Sequence, residues 1–505
     1  MQIIKELVQI ITRVKLRSIR KLGFPFVHDN RLGEMYDYFL EDKSEEDIAA
    51  YLTGKSIKSG AYRRLKSDLN DRLIASLFLV DLSLPAYNDR QRAYYELLKT
   101  WTTAKVLLGK NARLAGIELA ERSLRQALLF EFNDLALDLS RNLSLLYATV
   151  IGDTKKYQTY NDIYLRLKKV VAAEFQAEEA YAELIIQYVR QKTDDITISE
   201  KANEYSVSLA PLLDQFDAYN LHLYGGLIKM MVSSSKGDYA LTAQFCDEWI
   251  AFFEKKEYLA SVPLQIAYYQ KLNCQFQLRS FDEKMLYVDK GLKLLETGSY
   301  NWFKFLETYL LLALHTHEYE RAYKTYKQAR EHKRFKSLTE EVKEYWRVLG
   351  AYLHYLVEMG EIPIAQNDPA FSKFRIGRFL NQTPHFSKDK RGVNVSILII
   401  QILFLIARGK YNATIDKMDA VEQYSRRHLF RDETLRAFYF IKALLVIPKN
   451  SFHKEAVKRK AEKYLLKLNE YPLEEVGPSS TLTEIIPFEV VWIKVMTQLS
   501  AKFYK

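Results

Sequence analysis

The chain has 505 residues, of which 48% are hydrophobic, as in folded proteins; 18 Gly and 11 Pro are too few for a turn-dense β architecture, which leaves helices. Its 74 Lys and Arg exceed 63 Asp and Glu by a net +11, a modest excess that admits an anionic partner but is largely met by a mixed-sign solvated surface. Two cysteines, Cys246 and Cys274, rule out a disulfide framework, and the expectation is a reducing, cytoplasmic setting.

The first segment carries Ile4, Leu7, Val8, Ile11 and Val14 on one helical face, with Arg13, Lys15, Arg17, Arg20 and Lys21 at its end. Lys5 and Glu6 interrupt any signal-peptide core. This reads as the first helix of the fold, with cations at its negative dipole end; the alternative is a helix lying on an anionic membrane.

Next comes KSEEDIAAYLTGKSIKSGAYRRLKSDLNDRL, residues 43 to 73. Ser44 precedes three acids and predicts an N-cap, with Ile48, Ala49 and Leu52 turned inward. Ser59 predicts a second cap, before a stripe of Tyr62, Leu65, Leu69, Leu73 and Ile74. TGKS, Thr53 to Ser56, lacks the earlier glycine of a phosphate loop and reads as a turn. An acidic-capped helix followed by a basic one resembles the helix-turn-helix and winged-helix domains of bacterial regulators. That resemblance implies DNA contacts from Lys58, Arg63, Arg64 and Lys66. Against it stand the long connection from Thr53 to Lys58, the acids Asp68 and Asp71 on the same helix, and only 14 basic against 11 acidic residues over Met1 to Ala75.

LSLPAYNDRQ, Leu82 to Gln91, is a soft break, so residues 1–85 form an N-terminal helical unit with the helix-turn-helix candidate at 43–75. From 86 to 362 a turn followed by an apolar residue opening a helix recurs. It appears at GDY, RSF, HEY and GEI, and again at GKY beyond this region; Tyr239, Phe281, Tyr319, Ile362 and Tyr411 are 42, 38, 43 and 49 residues apart. Upstream, GKNARL and GDTKKY continue the period, with a further turn expected near Lys192 to Thr197. A period of about 42 residues fits two helices of about 15 to 18 residues and two short turns, a hairpin whose apolar face needs a neighbour.

One repeat resembles a known family. In LETYLLLALHTHEYERAYKTYKQAREH, Leu306 to His332, Tyr319 and Glu320 open the second helix, Ala322 stands at the small-residue crossing, and Tyr326 and Ala329 occupy the next buried positions, as in a tetratricopeptide repeat. Leu310 replaces the family's first-helix glycine, and Arg334 its terminal proline. The resemblance implies an all-α protein, a right-handed α-solenoid of degenerate tetratricopeptide-like hairpins, and a concave groove for a protein or peptide.

Residues 363–392, rich in Pro, Asn, Ser and Lys, read as a loop-rich insertion. In it Phe371, Phe374 and Phe379 alternate with Lys373, Arg375 and Arg378, a set suited to bases or an acidic partner; the alternative is rings folded over the helices. Residues 393–505 return to helical repeats, opening with Val393 to Ala407, an uncharged run too short to span a membrane and read as a central buried helix.

Chemistry-bearing patterns are sparse. His315 and His317 are two apart, without HExxH or CxxC, and read as turn or surface histidines; no cofactor or metal is expected. Both cysteines sit in apolar helical sequence, and the paired acids Glu178/Glu179 and Glu474/Glu475 point apart on a helix. The expectation is a non-catalytic scaffold for a protein or peptide partner, the alternative a DNA-binding regulator with a helical sensor array.

Overall fold

The computed structural model describes residues 4–5, 7–8, 30–78, 88–190, 195–280, 286–363, 368, 379, 393–429, 434–473 and 483–501. These residues form twenty α-helices and no β-sheet. The chain divides into two compact units, Met1–Ala172 and Ala173–Lys505.

In the first unit α1 (Asn30–Leu40), α2 (Glu45–Thr53) and α3 (Gly60–Leu77) pack against one another. Leu32, Met35, Phe39, Ile48, Ala49, Tyr62, Leu65, Leu69 and Leu73 make their core, joined by Ile4 and Val8. Ser44 and Ser59 cap α2 and α3 as expected, each accepting a backbone N–H from its own first turn. Ile74, expected inside the α3 stripe, is instead exposed, because the inward face runs through Leu69, Leu73 and Ser76 and turns Ile74 outward. A second core lies among α4 (Asp89–Gly109), α5 (Arg113–Leu129) and α6 (Asn133–Leu146) and includes Trp101, Leu124 and Leu139. Asn88 caps α4 with a reciprocal bond from Gln91, so the Asn-Asp pair does open a helix.

A π-helical turn, Tyr147–Ile151, precedes α7 (Thr154–Arg190). At 37 residues α7 replaces the hairpin of two shorter helices expected there. Its sequence holds neither Gly nor Pro, so nothing local stops it.

The second unit continues with α8 (Asp195–Gln215), α9 (Tyr219–Ser235), α10 (Tyr239–Glu254), α11 (Ser261–Gln277), α12 (Leu286–Leu294), α13 (Tyr300–His315), α14 (Tyr319–Glu331) and α15 (Glu340–Glu358). After the insertion come α16 (Val393–Ala407), α17 (Tyr411–His428), α18 (Leu435–Lys449), α19 (Lys454–Asn469) and α20 (Phe488–Gln498). From α8 onward most helices pack on the next in sequence, and α11 also packs on α13, the next helix but one. Consecutive pairing of helices is thus the rule of the fold.

One local device recurs. At Asn111, Glu131, Gly237, Arg279, His317, Gly360, Gly409 and Ser451 a left-handed residue follows a helix. In each case the next N–H returns to the carbonyl five residues back, at 2.9–3.1 Å: Ala112 to Leu107, Phe132 to Ala127, Asp238 to Ser233, Ser280 to Gln275, Glu318 to Ala313, Glu361 to Leu356, Lys410 to Leu405 and Phe452 to Ile447. This is the Schellman closure, which satisfies orphan carbonyls and reverses the chain in two residues. Every turn landmark from Gly237 to Gly409 carries it, and Tyr239, Tyr319 and Tyr411 open the following helices.

The resembling hairpin, α13–α14, buries Leu310, Tyr319, Ala322 and Ala329. Tyr326 is half-buried and its ring lies 6.1 Å from that of Trp346. Helix α16 is buried along almost its whole length, as its uncharged sequence requires, and the stacked Phe440 and Phe488 rings, 4.3 Å apart, close the same core.

Candidate functional site

Capping by Ser59 leaves the start of α3 facing solvent, with Lys58, Arg63 and Arg64 exposed. None of the three pairs with a carboxylate among the described residues. Lys66, named with them from the sequence, is placed differently: its ammonium bonds Glu45 at the start of α2 and clamps the two helices. Burial raises the Glu45 carboxyl, but the bond and charge of Lys66 pull it further down, below its ordinary value. The connection from Gly54 to Ser59 carries a left-handed Gly54 that ends α2, so TGKS is a helix stop.

Of the insertion set, Phe371, Lys373, Phe374, Arg375 and Arg378 lie outside the described residues. Phe379 is half-buried and packs against the core of the second unit. Asp368 ties the same insertion to α14, accepting from the Tyr323 hydroxyl and, at 2.8 Å, from Lys327 Nζ.

Two clefts meet at Lys304 on α13. One, of about 170 Å³, is lined by Gln265, Ile266 and Tyr269 of α11, Leu295, and Asn301, Lys304 and Phe305 of α13. The other, of about 190 Å³, is lined by Tyr300, Phe303, Lys304 and Glu307 of α13, Glu341, Val342 and Tyr345 of α15, and Val393 of α16. Helices α11, α13 and α15 are equivalent in register, since each precedes a Schellman turn, at Arg279, His317 and Gly360. Sequence reading missed these residues because three helices far apart in the chain supply them.

Within the second cleft Glu307 is 7% exposed and accepts from Lys304 Nζ at 2.5 Å. Burial pushes its carboxyl above the ordinary value, against the pull of Lys304. Tyr345, also 7% exposed, has no hydrogen-bond partner for its hydroxyl among the described residues. Burial first, then the Glu307 charge, push that hydroxyl well above its usual range, so it stays protonated.

A polar knot lies deeper in the same unit. Arg436 Nε and Nη2 bond the two oxygens of Glu484 at 2.9 and 2.8 Å, Nη2 also reaches Glu489 at 2.7 Å, and Nη1 bonds the Tyr471 carbonyl at 2.7 Å. Glu484 accepts the Phe488 N–H at 2.8 Å and so anchors the start of α20. His315 Nε2 lies 2.8 Å from the Glu484 carbonyl, inside the core. This corrects the expectation of a turn or surface residue: only His317 is exposed, while His315 ends α13 on its buried face. Burial, then the Arg279 charge, lower the His315 pKa well below its ordinary value, and Nε2–H donates in the neutral form.

Both cysteines are fully buried, and burial pushes their thiols up, that of Cys274 to about 12, which makes them packing groups at neutral pH. Glu178 and Glu179 are exposed on α7, while Glu474 and Glu475 lie outside the described residues. Among the described residues no three His, Cys, Asp or Glu converge to hold a metal ion, and no helix is long and apolar enough to cross a membrane. Compared with known proteins, the chain matches no family model, no curated protein and no solved structure.

Proposed function

We propose that the chain is a non-catalytic helical-repeat scaffold, whose tetratricopeptide-like hairpins stack within each unit as a right-handed α-solenoid and hold a protein or peptide partner in a concave groove. The observation that carries this reading is the recurrent Schellman turn joined to consecutive helix packing, because hairpins built alike must cover one another's apolar faces. The packing of α11 on α13 adds to it, since first helices of adjacent repeats touch in such arrays. Affinity would come from a few aromatic and charged anchors. The test is capture of partners from the native cell with the full chain, quantified by mass spectrometry. Specific proteins should be enriched over a scrambled bait; enrichment of a small molecule with no protein would sink the scaffold.

A second reading has one observation in its favour: Arg63 and Arg64 stand exposed at the start of a capped helix, with no carboxylate partner among the described residues. In that reading α3 contacts DNA and the helices behind it sense a partner. A gel shift at low salt that Arg63→Ala plus Arg64→Ala abolishes would support it; absence of any shift at low salt refutes it, because nonspecific phosphate contacts register there.

A further inference from the structure

We propose that the cleft lined by α13 and α15 seats the basic side chain, Lys or Arg, of a peptide partner, while the cleft across Lys304 takes an apolar side chain of the same segment. This rests on the scaffold reading and gives its partner a chemistry.

Charge complementarity identifies the occupant. The cleft holds two carboxylates, Glu307 and Glu341, against one ammonium, Lys304, so its lining carries an excess negative charge. Tyr300, Phe303 and Tyr345 supply the ring surfaces on which a cation is attracted. Glu307 is 7% exposed and has Lys304 as its sole hydrogen-bond partner among the described residues, although a carboxylate has room for about four. The Tyr345 hydroxyl, buried and without a hydrogen-bond partner among the described residues, adds no cation to the lining and leaves the carboxylates to set its charge. An entering guanidinium or ammonium brings N–H donors for the remaining lone pairs of Glu307 and for the exposed Glu341 carboxylate. A peptide carboxylate or a phosphate would meet two like charges and an ammonium already engaged.

Size points the same way: about 190 Å³ accepts a single long side chain and falls short of the roughly 300 Å³ at which small-molecule sites begin. The neighbouring cleft, about 170 Å³, is walled by Ile266, Tyr269, Leu295 and Phe305. Its Gln265 amide nitrogen donates to the Leu294 carbonyl at 2.7 Å, and the four apolar walls outnumber the polar lining of Gln265, Asn301 and Lys304.

The experiment uses the full chain and a panel of labelled, acetylated and amidated octapeptides on a Gly/Ser background, with one Leu and one Arg at varied separation. Matched peptides carry citrulline, norleucine or Glu in place of Arg. Fluorescence anisotropy should give Arg peptides an advantage of about tenfold over citrulline, falling as salt rises. Glu341→Gln, at an exposed position that cannot upset the core, should cut that advantage severalfold, and Glu307→Gln should do so more strongly. Equal binding of Arg and citrulline peptides, preference for Glu, an advantage unchanged in Glu341→Gln, or no binding at all overturns the proposal. Failure of the broader reading is told apart by the cell capture: proteins still enriched beside a failed peptide panel remove only the cleft, whereas an empty capture removes the scaffold too.

Discussion

Arg436→Ala should destabilise the second unit by about 3–5 kcal/mol, the range for stranding one member of a buried ion pair. The Arg436 side chain is 3% exposed and that of Glu484 0%, so water cannot replace the lost guanidinium. The carboxylate would keep the Phe488 N–H, while the Tyr471 carbonyl beyond the end of α19 loses a donor at 2.7 Å, which adds about 1 kcal/mol. Arg436→Met with Glu484→Leu should recover most of the loss, because it removes both charges. It should still fall about 1–3 kcal/mol short, since the Phe488 N–H is then left bare and the Tyr471 carbonyl still lacks its donor. Urea unfolding followed by tryptophan fluorescence suits the measurement: Trp249, Trp302, Trp346 and Trp492 lie in the second unit and only Trp101 in the first. A single variant costing under about 1 kcal/mol, or a double variant as damaging as the single, would refute the reasoning.

His315 adds a pH dependence. Its folded pKa is depressed, so the unfolded chain takes up a proton first and stability is lost as pH falls below about 6.5, by up to about 1.4 kcal/mol per pH unit. His315→Gln should flatten that slope in urea titrations between pH 7 and 5; an unchanged slope would show that other groups set it. Gly409→Ala should cost about 1–2 kcal/mol although nothing lies within 4 Å of the added methyl, because φ is +61° there. Gly226→Ala tests the other role of glycine: its methyl would sit 2.4 Å from Trp249 Nε1, whose N–H bonds the His222 carbonyl, and thermal melting should fall through displacement of that ring.

By itself the sequence determined the helices and most of their stops. Few breakers, serine caps at Ser44 and Ser59, and a turn signal roughly every 42 residues are local facts, and local backbone chemistry converts them directly into structure. The burial of Val393 to Ala407 was legible for the same reason, since an uncharged apolar run has nowhere else to go. The turn at Glu131 was not, because its left-handed position is taken by a glutamate, a residue type with no preference for that conformation, and the Asn133–Asp134 pair follows it without a Gly or Pro. Tertiary structure alone decided the pairings: Lys66 with Glu45, Arg436 with Glu484 across 48 residues, His315 on the Glu484 carbonyl across 169, and the joining of Lys304, Glu307 and Tyr345 in one cleft. A charged or polar residue states only what kind of partner it needs. Which partner it finds depends on the helices brought beside it, and those are chosen by the burial of apolar faces over the whole unit.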